Sequence, residues 1–114
     1  MRNLNTVLFF LLALLTLPAR AQDAGEKMLD AARCYACHQR TDASLGPPWQ
    51  AIAARHASND AAQKELTLDV LARKIVSGGG GNWGDVPMVP NQWVSIEEAR
   101  AMATWILNLP AARN

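Results

Sequence analysis

Cysteine is scarce in this 114-residue chain: there are two, Cys34 and Cys37, so no other pairing competes for either. An excess of one charge is missing too. Lys and Arg number 11 against 10 Asp and Glu, a formal net charge of +1. No clustered basic surface of the kind nucleic acid requires can be read from that balance. Repeats, charge runs and low-complexity segments are absent apart from Gly78–Gly81. That glycine run is not followed by the Gly-Lys-Ser/Thr of a phosphate loop and reads as a flexible connector. No stretch alternates convincingly enough for a strand. Long apolar runs are limited to Val7–Leu17, broken only by Thr16. At 11 residues it falls short of the roughly 20 that span a bilayer.

That short run has the features of an export signal. Arg2 supplies a positive n-region, and Pro18 precedes Ala19-Arg20-Ala21, a small-x-small cleavage pattern. The expectation is a cleaved signal peptide at 1–21 and one small domain at 22–114, with no membrane span left after cleavage. Arg2 and Arg20 leave with the signal, which takes the net charge from +1 to −1. This implies export out of the cytoplasm, which the family resemblance drawn below makes the periplasm.

What is present is Cys34-Tyr35-Ala36-Cys37-His38. Two cysteines two residues apart, followed at once by histidine, have the spacing of covalent c-type haem attachment. Each thiol adds across one porphyrin vinyl group, and the adjacent histidine is tethered where it can give the iron an axial nitrogen. A zinc site from Cys34, Cys37, His38 and His56 would lack a second Cys/His pair of normal spacing. A thioredoxin-like pair would want a βαβ unit around it. A plain disulfide leaves His38 unexplained.

The mature chain reads as four helices. The first runs from Ala24 to about Arg33, with Met28, Leu29 and Ala32 on one face. Pro48 suits the first position of a second, ending near His56. Thr67 is a plausible N-cap for a third reaching Ser77, closed by Gly78. Residues 58–66 are either loop or helical turn. Ser95 and Glu98 fit a capping box for the last helix, whose apolar face is Ala99, Met102, Ala103, Ile106 and Leu109 before Pro110. The glycine- and proline-rich stretches near Gly46 and from Gly78 to Asn91 look like loops wrapping something flat.

The opposite face of the iron either stays open or takes a second axial ligand from Met28, Met88, Met102 or His56. Met28 and Met102 sit on apolar helical faces, where methionine is ordinary core. Met88 lies between Pro87 and Pro90, in a loop stiff enough to hold a thioether in place. It is the candidate the residues favour.

With these residues the chain resembles the bacterial class I c-type cytochromes, short single-haem electron carriers, over nearly all of its mature length. The resemblance rests on Cys34–His38, Gly46-Pro47, Trp83-Gly84-Asp85-Val86-Pro87-Met88 with Asn91, and Trp105 in the last helix. It implies an all-α cytochrome c fold around one covalent haem c, with Cys34 and Cys37 as thioether carriers and His38 and Met88 as axial ligands. It further implies that the Pro47 carbonyl orients His38, that Asn91 approaches the Met88 sulfur, and that Trp83 donates to a haem propionate. Trp105 would pack where the first and last helices cross, near Met28 and Leu29. Lys74 stands where an arginine often binds a propionate, and lysine lacks the bidentate fork. Asp85 replaces a common proline, and 57–69 is longer than in the shortest members. His56 falls where an aromatic ring is usual and reads as packing or surface.

A saturated iron would leave electron transfer, not substrate chemistry, as the activity. The implied protein is a monomeric shuttle docking transiently with redox partners, between a quinol-oxidising complex and a terminal reductase or oxidase. An open-site haem enzyme or sensor, or a fixed subunit of a larger dehydrogenase, are the other readings of the same residues.

Overall fold

The structure is a computed structural model and describes residues 18–110. The apolar run expected to direct export, Val7–Leu17, lies outside them. Among the described residues there are four α-helices, α1 (Pro18–Ala31), α2 (Trp49–Arg55), α3 (Ala61–Ser77) and α4 (Ile96–Leu107), with a 3-10 turn at Cys34–Ala36. Among the described residues there is no strand, only an isolated antiparallel bridge between Gly79 and Met88. No helix among them is long and apolar enough to cross a membrane.

The ends of these helices follow local chemistry. α1 stops two residues earlier than its pattern suggests, because Arg33 turns left-handed at φ 62°. The Arg33 amide closes on the Asp30 carbonyl at 2.9 Å, and the chain then enters the 3-10 turn. Pro48 is the residue before α2 rather than its first helical one, with an extended ψ of 144°. Proline has no side-chain oxygen to cap the free amides of a first turn. Trp49 and Gln50 instead donate to the carbonyls of Gln39 and Arg40, at 2.9 and 3.0 Å.

The expected start of α3 needs correction. Thr67 is no cap but a buried residue well inside the helix. Asp60 caps it, accepting the Gln63 amide at 2.7 Å. Residues 61–66 are therefore helical, which settles most of the stretch left open from sequence. The signal was an Asp-x-x-Gln spacing at 60–63, which resembles a capping box as much as anything near Thr67 does. At the other end Gly78, at φ 68°, returns its amide to the Lys74 carbonyl. For α4 the capping box is complete: Ser95 accepts the Glu98 amide at 3.1 Å, and the Glu98 carboxylate accepts the Ser95 amide at 2.9 Å.

α4 is the helix on which the other three pack. Its inner face, Ala99, Met102, Ala103, Trp105 and Ile106, is buried, and Leu109 continues the buried face beyond the last turn. Small residues at 99 and 103 let neighbours approach closely, and each large side chain fully buried contributes roughly 1.5–3 kcal/mol. α1 crosses at Gly25, where an added Cβ would stand 2.5 Å from the Trp105 Cβ. Arg100 joins Asp69 and Glu65 across α3 and α4. Those carboxylates are well exposed, so the ion pairs orient the helices more than they stabilise them.

Candidate functional site

The 3-10 turn folds Cys37 and His38 back onto one carbonyl. Both amides donate to Cys34 O, at 3.1 and 2.9 Å, so the two thiols and the imidazole emerge from a single tight turn. Cys34 and Cys37 are both free thiols and half-buried. Burial is the main reason the Cys34 thiol titrates above its usual 9.0, with Cys37 adding to the effect.

His38 is held on several sides. Its Nδ1 lies 2.8 Å from the Pro47 carbonyl oxygen. A carbonyl can only accept, so Nδ1 carries the proton and Nε2 is left with its lone pair. Gly46 abuts the same ring, and a Cβ there would come within 2.7 Å of Cε1. Trp49 lies nearly parallel to the imidazole, 15° between planes with centroids 6.0 Å apart. Trp49 in turn receives Tyr35 and Trp105 edge-on, at 4.7 and 5.6 Å. The Tyr35 hydroxyl donates to Glu26 at 2.9 Å, and burial together with that bond pushes its phenol up to about 12.

Met88 comes from a separate segment of the chain. It exchanges two backbone hydrogen bonds with Gly79, at 2.8 and 2.9 Å, closing the base of the glycine-rich loop. Asn91 ties this segment to α3: its backbone amide donates to Val76 O, and its side-chain nitrogen to Ile75 O at 3.0 Å and Val89 O at 3.3 Å. Gly78 cannot be replaced without disturbing the arrangement, since a Cβ would sit 2.4 Å from the Met88 carbonyl oxygen.

Cys34, His38, Lys74 and Met88 face one slot between the helices, whose remaining walls include the aliphatic side chains of Leu29, Ile52, Leu71, Ile75 and Ile106. A slot with an almost wholly apolar lining, faced by a thiol, an imidazole and a thioether, has the donor set that a flat macrocycle with an iron at its centre requires. Pro47 and Asn91 stand one step back, on His38 and on the Met88 segment. Trp83 is outside the slot, 43% exposed, with the Arg55 guanidinium carbon 4.6 Å from its ring centroid. His56 sits at the end of α2, its imidazole titrating below the ordinary value through partial burial and the adjacent Arg55 charge. Among the described residues no three His, Cys, Asp or Glu side chains gather to hold a bare metal ion.

Three residues important to this geometry were not singled out from sequence. Trp49 is a lone aromatic behind two prolines, and only the placement of the α2 start puts it under His38. Gly25 is one glycine in a helical pattern, and its close contact is visible only once α4 is in place. Arg55 reads as an ordinary solvated charge at a helix end.

The family model described as cytochrome c matches residues 22–110. The chain is similar to cytochrome c-551 of Stutzerimonas stutzeri, 40% identical over 97 residues, 85% of this chain and 86% of that protein. It is 45% identical over 76 residues to cytochrome c-552 of Nitrosomonas europaea, covering 67% of this chain and 69% of that one. The crystal structure of the wild-type Nitrosomonas europaea cytochrome c552 superimposes with a TM-score of 0.67 at 39% identity, over 75% of this chain and 99% of that one.

Proposed function

This chain belongs to the cytochrome c family, a small electron-transfer protein and not an enzyme, and from that premise we propose that His38 and Met88 are the two axial ligands of its one covalent haem c. When bound, the haem supplies a one-electron ferrous/ferric couple, whose potential a methionine ligand raises relative to two imidazoles. Cys34 and Cys37 carry the thioethers. The observation that carries the reading is the His38 ring itself: Nδ1 faces the Pro47 carbonyl, and the ring lines the same slot as the Met88 side chain.

The surrounding residues have defined work in this proposal. Pro47 fixes the tautomer of His38 and leaves Nε2 for the iron. Asn91 acts on Met88 through the backbone, by hanging its segment from the Ile75 carbonyl. Lys74 lies along the slot wall and offers a single positive point charge to a propionate. Trp83 offers its indole N–H to the propionate edge. With both axial positions filled, the protein carries electrons without binding a substrate at the metal.

Residues 1–21 are removed on export, and the domain that follows works in the periplasm as a monomer. Its donor and acceptor are membrane-linked redox proteins, a quinol-oxidising complex and a terminal reductase or oxidase, met by weak short-lived docking.

The test is an absorption spectrum of protein exported from a host with haem-attachment machinery, in both redox states, beside Met88→Ala. Covalent haem with a thioether-to-iron band that the substitution abolishes is the expected result. Covalent haem lacking that band in the unsubstituted protein overturns the ligand assignment, and protein that takes up no haem overturns the whole reading.

A further inference from the structure

Residues 80–87 form a loop whose base is the Gly79–Met88 pair. Among the described residues, no backbone-to-backbone hydrogen bond reaches any of these eight positions. Positive φ values at Gly81 and Gly84, 87° and 110°, mark a backbone that few other residues would hold. Nothing lies within 4 Å of a Cβ built at either glycine. Left to itself such a segment has little to keep it in one place.

One side chain touches its tip twice. Arg55, the last residue of α2, donates from Nη1 to the Asn82 carbonyl at 2.7 Å, 27 positions away in sequence. Its guanidinium also lies over the Trp83 ring, 4.6 Å from the centroid. A guanidinium can make both contacts at once because it is planar: its edge donates while its face stacks. Lysine has the charge but not the plane.

We propose that Arg55 is a positioning residue that pins the 80–87 loop to α2, and so fixes Trp83 and keeps small ligands from the Met88 side of the site. The proposal rests on the ligand reading above for its last clause only. The pin acts across the molecule, since the other end of α2 begins beside Pro47, whose carbonyl meets His38. α2 therefore braces the histidine side and the methionine side with one rigid helical segment.

The experiment uses the full haem-loaded protein, with Arg55→Ala, Arg55→Lys and Trp83→Leu compared with the unsubstituted chain. Backbone nitrogen-15 order parameters are measured by NMR at 80–87 and in α4 of the ferrous form, and imidazole is titrated into the ferric form. Arg55→Ala is expected to drop the order parameters across Asn82–Asp85 from about 0.85 to below about 0.6, the loss of one exposed stack and one hydrogen bond, while leaving α4 unchanged. Imidazole should bind about tenfold more tightly. Arg55→Lys should recover part of both effects, and Trp83→Leu should reproduce the part due to stacking. Unchanged loop order parameters together with an imidazole affinity within about twofold of the unsubstituted protein in Arg55→Ala would overturn the proposal. A protein that shows no thioether-to-iron band in the first place fails the ligand reading alone, because the loop order parameters still report on the pin.

Discussion

The two sides of the slot are built on different plans. On the histidine side, residues 39–45 are exposed but the two ends of 33–49 are tied together: a 3-10 turn, carbonyls of Gln39 and Arg40 capping α2, Gly46 against the imidazole and Trp49 beneath it. His38 is 8% exposed there. On the methionine side, residues 78–91 hold their shape at the ends, through the Gly79–Met88 pair and Asn91, and nearly everything between is exposed. Val86 and Val89 are 60% and 64% exposed. A contact-rich side resists displacement through many weak interactions in parallel. A side hung from few points depends on each of them, and can yield without unfolding the rest.

The largest expected effect breaks the histidine side. Trp49 is 1% exposed and touches Tyr35, His38 and Trp105, so Trp49→Ala should cost about 3–5 kcal/mol in guanidinium unfolding of the haem-loaded protein. A loss below about 1 kcal/mol would mean that the aromatic cluster is not the brace it looks like. Next comes a matched pair. Gly46→Ala drives a Cβ toward the His38 ring and should cost up to about 3 kcal/mol, with a perturbed haem spectrum. Gly81→Ala meets no atom and should cost only the left-handed strain, about 1 kcal/mol, with the spectrum intact. Equal costs would erase the contrast between the two sides.

Asn91→Ala follows. It leaves the buried Ile75 carbonyl without its side-chain donor, for about 2 kcal/mol, and should weaken the methionine side ahead of global unfolding. Near-UV circular dichroism and loop hydrogen exchange would register that order of events. The smallest effect is a gain. Arg33 holds φ 62° without being glycine, so Arg33→Gly should stabilise by about 0.5 kcal/mol, the relief of strain less the added freedom of the unfolded chain.

Sequence gave access to the two sides unequally, for the same physical reason. Cys34, Cys37 and His38 could be singled out because Cys-x-x-Cys-His is a pattern within five residues, and the Ser95–Glu98 cap was legible because it is a local hydrogen-bond pattern. The all-α fold was legible in its apolar periodicity. The contacts of Trp49, Gly25 and Arg55 were not, because each is made to a partner far along the chain or brought close only by a turn. Arg55 meets Asn82 across 27 residues, and no spacing rule relates them. Thr67 shows the opposite failure: a good capping residue whose position was decided by the better-placed Asp60 seven residues earlier.

The reciprocal bonds between Gly79 and Met88 have a consequence for how this protein can be altered. They separate the length of the loop from the position of the residue that ends it. Chain leaving at Gly79 is returned to register at Met88 by those bonds, and closure entropy grows so slowly that doubling a loop costs only about 0.6 kcal/mol. The open space around Gly81 makes that the natural point of entry for foreign sequence. A tag, an epitope or a recognition peptide spliced in there would be displayed beside the slot, while Met88 stays where its two backbone bonds to Gly79 put it, provided the Arg55 contacts to Asn82 and Trp83 are kept.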